Sequence, residues 1–320
     1  MQAAGAMILA LLTILSVPTP GAGQTPGEVF RKVTPSVVVI RAKGSEVTAG
    51  GQVRFTETGS GVLISSDGKV MTAAHVVHSM NDISVEFLGG ETVSARVIAS
   101  EPAADLSLIQ LDRVPSGARV AQMANSDTVR VGDPVYIVGA PYGLSYSLSA
   151  WTHQRALGAE HGAQGHADRR VLPDQCHHQY GQFRRGSEGL SFVVTMKTAK
   201  QLLLEKKSSW GGLEGEFLSD ELLDLLNVPN NMRGYLVKSV AKDSPGDQAG
   251  LRGGNKVVTI DGQPIVLSGD ILLAIEGVPA DSAANMMKVR DHLATLKSGE
   301  PLKVTVLRAG KVIELTGVVP

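Results

Sequence analysis

The stretch from Gly59 to Val77, Gly-Ser-Gly-Val-Leu-Ile-Ser-Ser-Asp-Gly-Lys-Val-Met-Thr-Ala-Ala-His-Val-Val, limits what this chain can fold into more than any other. An apolar run from Val62 to Ile64, a polar Ser66-Asp67-Gly68-Lys69 turn and a second run, Val70-Met71, predict two paired strands. His75 follows directly, behind two small residues, Ala73 and Ala74, so the hairpin ends in an imidazole with room around it. An isolated histidine in such a place is more often a packed core residue. Here the small neighbours and an acid further along the chain favour chemistry.

That acid is Asp105, at the head of the alternating strand Asp105-Leu106-Ser107-Leu108-Ile109-Gln110-Leu111. A carboxylate so placed can hold an imidazole in its working tautomer and stabilise the imidazolium formed during acyl transfer. Capping a strand or a turn is the simpler use of the same residue. A third string, Gly132-Asp133-Pro134-Val135-Tyr136-Ile137-Val138-Gly139-Ala140-Pro141-Tyr142-Gly143, follows. Thr72-Ala73-Ala74-His75-Val76-Val77, the later Asp105 and this third string together resemble the trypsin-type serine proteases, and among them the bacterial high-temperature-requirement (HtrA, or Deg) family. Histidine before aspartate is the chymotrypsin order. The resemblance implies a mainly β fold, a chymotrypsin-like double β-barrel followed by an α+β PDZ domain. It also implies that His75 and Asp105 are catalytic and lie within hydrogen-bonding reach. Phe30 to Gly143 is expected to form the N-terminal barrel.

The third catalytic group is missing. The family carries Gly-Asn-Ser-Gly-Gly, whose serine attacks the scissile carbonyl and whose surrounding backbone N–H groups form the oxyanion hole. No such string occurs here. Ser187, in Arg185-Gly186-Ser187-Glu188-Gly189-Leu190, is the nearest decoy, but it runs straight into Ser191-Phe192-Val193-Val194. By the resemblance that segment is a pocket-lining loop and strand beyond the nucleophile, so no nucleophile is assigned.

Residues Trp151 to Arg185 account for the loss. They contain no isoleucine and only Leu157, Val171 and Leu172 as branched aliphatics, yet hold five of the eight histidines and the only cysteine. Such a composition does not build barrel strands. His178 to Arg185 can be encoded as CAT CAA TAC GGG CAA TTC CGG CGG, and reading one base later gives Ile-Asn-Thr-Gly-Asn-Ser-Gly-Gly. Trp151 to Ala156 shifts equally well to Gly-His-Ile-Ser-Gly-Arg, another string typical of the family. The expectation is out-of-frame translation from Trp151 to Arg185, with a deletion restoring the frame at Gly186, a disrupted second barrel and an inactive product.

Other uses of that segment carry less. Cys176, His177 and His178 with His161 and His166 offer thiolate and imidazole, the usual zinc ligands, but their spacing matches no closed tetrahedral pattern. No metal and no cofactor are expected. A net charge of −1 and short basic runs (Lys206-Lys207, Arg169-Arg170, Arg184-Arg185) give no reason to expect a nucleic-acid partner. One cysteine excludes an internal disulfide.

At the N-terminus, the apolar run Ala6 to Val17 precedes Pro18-Thr19-Pro20-Gly21-Ala22-Gly23. Twelve residues are too few to cross a bilayer, which takes about 20. Residues 1–23 therefore read as a secretory signal peptide, although no Lys or Arg precedes the apolar run, and a retained anchor stands as the alternative. Either way the body faces the periplasm or the exterior.

A chain of 320 residues has room for about two domains. Residues 24–207 read as the protease domain, closed by a helix from Thr195 to Lys207, and residues 208–320 as the PDZ domain. Gly234-Tyr235-Leu236-Val237-Lys238-Ser239-Val240, Ser244-Pro245 and Ala249-Gly250-Leu251-Arg252-Gly253-Gly254 carry the PDZ resemblance. A PDZ domain adds an extended C-terminus as a strand and catches its carboxylate on backbone N–H groups. The loop matching that role is Trp210-Gly211-Gly212-Leu213, an interdomain linker being the alternative. Acidic-Gly turns at Asp261-Gly262 and Glu276-Gly277, a helix from Ala283 to Lys297 and a hairpin turning at Ala309-Gly310 complete the domain.

Two functions follow. One is a quality-control endopeptidase acting on unfolded polypeptides; the other is a non-catalytic envelope protein, or decayed gene product, binding protein C-termini. The family commonly trimerises through N-terminal protease residues, and Glu28 to Thr34 is retained, but exposed strand edges in a broken second barrel argue against a stable homotrimer.

Overall fold

The computed structural model describes residues 24–140, 146–153, 169–173, 190–205, 210–226, 228, 233–260 and 263–319. The expected signal peptide therefore lies outside the described residues. So does most of the segment from Trp151 to Arg185.

A capped helix, α1 (Pro26–Val33), leads into the first strand, with Pro26 in its first turn and a reciprocal Thr25–Glu28 capping box. Six antiparallel strands then close into a barrel: β1 (Val37–Thr48), β2 (Gly51–Leu63), β3 (Lys69–Thr72), β4 (Asp82–Glu86), β5 (Thr92–Glu101) and β6 (Leu106–Leu111), in the order β1-β2-β3-β6-β5-β4. The alternating apolar positions explain the closure, since Val38, Ile40, Leu63, Val70, Val85 and Ile109 all point into one core and are essentially inaccessible to solvent. The predicted β2–β3 hairpin is present. Gly68 supplies the positive φ of its turn, and Ser65 Oγ accepts from the Lys69 N–H at 2.9 Å. A single helical turn, α2 (Ala74–Val77), follows β3.

The Gly59-Ser60-Gly61 string has a packing cause. A Cβ at Gly59 would stand 2.6 Å from Val76 Cγ2, and one at Gly61 would stand 2.7 Å from Val70 Cγ1. Only glycine lets the histidine-bearing turn lie this close on β2.

The barrel closes at Leu111, short of the expected Gly143. Beyond it, β7 (Pro134–Gly139) pairs only with β8 (Ser147–Thr152), and β9 (Arg169–Pro173) only with β10 (Leu190–Val194). The mainly β class holds, and among the described residues the second half forms two separate two-stranded sheets rather than a second closed barrel. Two parts of the anomalous segment are nevertheless paired, Trp151 and Thr152 against Val135 and Pro134, and Arg169–Pro173 against Leu190–Val194. Backbone pairing does not require the branched side chains whose scarcity argued against strands here. The expected closing helix begins at α3 (Met196–Lys200), capped by Thr195, and continues as a turn of π-helix, Gln201–Glu205.

The C-terminal unit has a sheet ordered β11 (Leu213–Phe217), β12 (Tyr235–Val240), β15 (Ile271–Ile275), β17 (Pro301–Arg308), β18 (Lys311–Val318), with β16 (Val278–Pro279) on β15 and a separate β13 (Lys256–Ile260)–β14 (Gln263–Leu267) hairpin. Helices α4 (Asp220–Leu225), α5 (Pro245–Gln248) and α6 (Ala283–Thr295) complete it. The expected helix is α6, and the Ala309-Gly310 and Glu276-Gly277 turns form with both residues at positive φ, as a two-residue hairpin turn requires. Asp261 and Gly262 lie outside the described residues. The most buried charge is Asp270, 1% exposed, which accepts two hydrogen bonds from Arg308, both at 2.7 Å, and one from the Arg252 N–H at 2.8 Å.

Replacing Asp270 by alanine leaves Arg308 without its buried partner, so Asp270→Ala is expected to destabilise the C-terminal unit by about 3–5 kcal/mol. Urea unfolding followed by tyrosine fluorescence should show the loss; a change below about 1 kcal/mol would mean that the pair contributes little to holding β15 and β17 together.

Candidate active site

His75 and Asp105 stand together on the rim of the barrel. His75 Nδ1 lies 2.9 Å from Asp105 Oδ2 and 3.0 Å from Oδ1, and the His75 backbone N–H donates to Oδ1 at 3.0 Å. A carboxylate accepts, so the ring proton sits on Nδ1 and Nε2 is left as the free base, the tautomer that acyl transfer needs. Asp105 closes the short 3₁₀ turn Pro102–Ala104 in the left-handed region, φ 53° and ψ 44°. A non-glycine residue there is strained, and the conformation is what turns its carboxylate toward His75 rather than along β6.

The electrostatics follow from this geometry. The hydrogen bond to Asp105 raises the His75 imidazole above its ordinary value against the opposing effect of burial, and the Asp105 and Glu57 charges add to the rise. Burial alone would raise Asp105, but hydrogen bonds from the His75 ring and backbone outweigh it and hold the carboxylate below its ordinary value. Both side chains are about half exposed, 54% and 45%, so water screens the pair and it serves orientation more than stability.

Ser187 lies outside the described residues, and so do Cys176, His177, His178, His161 and His166. The Trp210-Gly211-Gly212-Leu213 loop is a packed turn rather than a linker. Gly212 has φ 71°, and a Cβ there would meet Ser244 at 2.2 Å. The Gly211 and Gly212 carbonyls accept from the Gly246 and Ala241 N–H groups at 2.9 and 2.7 Å. Trp210 packs against the core of the barrel instead of facing the C-terminal sheet, and its Nε1 donates to the His78 carbonyl at 3.1 Å. Sequence reading had no use for His78, whose Nε2 bonds the Leu213 carbonyl at 3.1 Å and whose Nδ1 bonds Ser100 Oγ at 2.8 Å. Its spacing of three from His75, one helical turn, was the available signal.

The trypsin-like peptidase domain family matches residues 59–189, which include both His75 and Asp105. A probable periplasmic serine endoprotease DegP-like from Ectopseudomonas mendocina (strain ymp) is 27% identical over 80% of this chain and 58% of its own length. The periplasmic pH-dependent serine endoprotease DegQ of Escherichia coli (strain K12) is 26% identical over 94% of this chain and 72% of its own. These matches support an HtrA/Deg-type serine protease. It spans rather more than half the length of the DegP-like relative. A solved HtrA-type protease, a serine-to-alanine variant of AlgW with a decapeptide, shares the fold at a TM-score of 0.51 and 20% identity, over 92% of this chain and 97% of that one.

For this HtrA/Deg-type chain the pH dependence has a definite sign. The His75 contribution to stability is full below the ordinary imidazole value of about 6.5 and is lost as pH rises through the raised folded value. The Asp105 contribution is present above the ordinary carboxylate value and lost as pH falls through the lowered one. Asp105→Asn should therefore move the His75 titration, followed by imidazole carbon NMR, downward. An unmoved midpoint would show that the two groups are not coupled in solution.

Proposed function

We propose that this chain derives from a periplasmic HtrA-type endopeptidase that cleaves unfolded or misfolded polypeptides, and that it is inactive as written. The observation carrying the lineage is the Nδ1-to-carboxylate contact of His75 and Asp105, 2.9 Å, which leaves Nε2 poised as a base. The inactivity follows from the absent Gly-Asn-Ser-Gly-Gly string, the segment that supplies the attacking hydroxyl and the oxyanion donors in the family. Loss of a triad serine alone lowers kcat by about a millionfold. The out-of-frame reading of Trp151 to Arg185 is supported by the two family strings in one shifted frame. The names of the relatives, both periplasmic, and the apolar segment before Pro18 support export. Among the described residues no helix is long and apolar enough to cross a membrane. A homotrimer like the family's is not assigned, because among the described residues the sheets after Leu111 are two-stranded with open edges.

The chain as written should show no labelling by a fluorophosphonate probe and no casein cleavage. A gene carrying the shifted frame from Trp151 to Arg185, with a family hairpin inserted at Gly186, should gain labelling at the restored serine. Labelling of the unaltered chain would overturn the inactive reading, and genomic codons that do not shift to the two strings would remove the frameshift.

A second reading is favoured by the C-terminal unit, where β11 is an edge strand with β12 as its neighbour and follows the tight Gly211-Gly212 turn. Such an edge can take an extended peptide as an added strand, as a PDZ domain does, with Gly211, Gly212 and Leu213 beside the peptide carboxylate, while Trp210, expected there too, packs on the barrel. Residues 211–320 expressed alone should fold and bind peptides ending in a free apolar residue. Fluorescence anisotropy should show sharply weaker binding when the peptide is amidated; equal affinities would dismiss the carboxylate loop.

A further inference from the structure

The two barrel segments that carry His75 and Asp105 are both gripped by the C-terminal unit. After His75, α2 is a single turn of four residues with no side-chain cap at its start. A helix this short does not hold itself. Val76 and Val77 anchor it in the barrel core, and the C-terminal unit adds contacts from outside. The His78 carbonyl takes the Trp210 indole N–H, and the His78 ring reaches the Leu213 carbonyl. Because that carbonyl can only accept, Nε2 carries the proton, and Nδ1 of the neutral ring accepts from Ser100, which in turn bonds Ser107 at 2.6 Å. Two further contacts follow immediately, Ser79 Oγ to Glu214 at 2.9 Å and the Lys242 N–H to Asn81 Oδ1 at 3.1 Å.

The other segment is held by α6. Arg290 Nη1 donates to Glu101 at 2.9 Å, with the two side chains only 29% and 21% exposed. Glu101 is the last residue of β5 and stands opposite Leu106. Only the turn Pro102–Ala104 separates it from Asp105. A charge-assisted contact in a partly buried setting has a narrow geometry, so anchoring Glu101 fixes where the turn begins. The strained φ of Asp105 persists only if its surroundings over-determine it.

We propose that Arg290 and Trp210 are positioning residues, through which the docked C-terminal unit sets the distance and orientation between His75 and Asp105. The proposal rests on the reading of those two residues as a catalytic dyad. It makes the dyad a product of both units rather than of the barrel alone.

The test is proton and nitrogen NMR of the full chain, reading the downfield His75 Nδ1–H signal, assigned by its loss in His75→Gln, together with the His75 titration. Arg290→Gln removes the charge from α6, and Trp210→Phe removes one hydrogen bond while keeping an aromatic ring. In each, the downfield signal should broaden or vanish and the titration midpoint should shift down, while the methyl signals of Leu272 and Val306 in the C-terminal core stay in place. The exchanged pair Glu101→Arg with Arg290→Glu should bring the signal back. An undisturbed His75 signal in both single variants overturns the proposal. If instead the unaltered chain lacks the signal, or Asp105→Asn leaves the titration where it was, the dyad itself is at fault and the proposal falls with it.

Discussion

Closure of the six-stranded barrel through β1 is the constraint on which the remaining structure depends. β1 pairs with β2 along one side and with β4 along the other, and its first four residues, Val37 to Ile40, are all buried. Within that barrel β3 lies directly beside β6, so that the segments following β3 and preceding β6 emerge at one rim. His75 and Asp105, separated by 30 positions in sequence, meet there because a backbone ladder places them.

Local devices then refine that meeting. Glycine at position 59 admits α2 to the surface of β2, and the left-handed conformation of Asp105 aims its carboxylate across the rim. The paired shifts of the two groups, imidazole up and carboxylate down, express one interaction seen from both ends. Half-exposure keeps it modest in energy while leaving it specific in direction. Orientation is what the chemistry would need.

Much of this was legible because it is local. The β2–β3 hairpin, α6 and the turns at Glu276-Gly277 and Ala309-Gly310 are written in patterns a few residues long, and the structure forms them, although β2 begins at Gly51, well before the expected Val62. The dyad could be read since an imidazole behind a hairpin and an acid before a strand have few uses in combination. The end of the barrel could not. Val135 to Val138 alternate no differently from a barrel strand, yet among the described residues β7 pairs with β8 alone.

The sequence by itself determined that an imidazole and a carboxylate stand at the ends of two strands, because side-chain type and the adjacent strand pattern decide whether such groups can be presented at all. It also determined that the nucleophile string is absent, a matter of composition alone. Only the tertiary structure decided that the Gly211-Gly212 turn is packed and not a linker, that Trp210 faces the barrel, and that Arg290 meets Glu101 across 189 positions. Contacts between two independently patterned units leave no periodic trace in either, since each charge and each aromatic ring reads locally as an ordinary surface residue until the units are brought together.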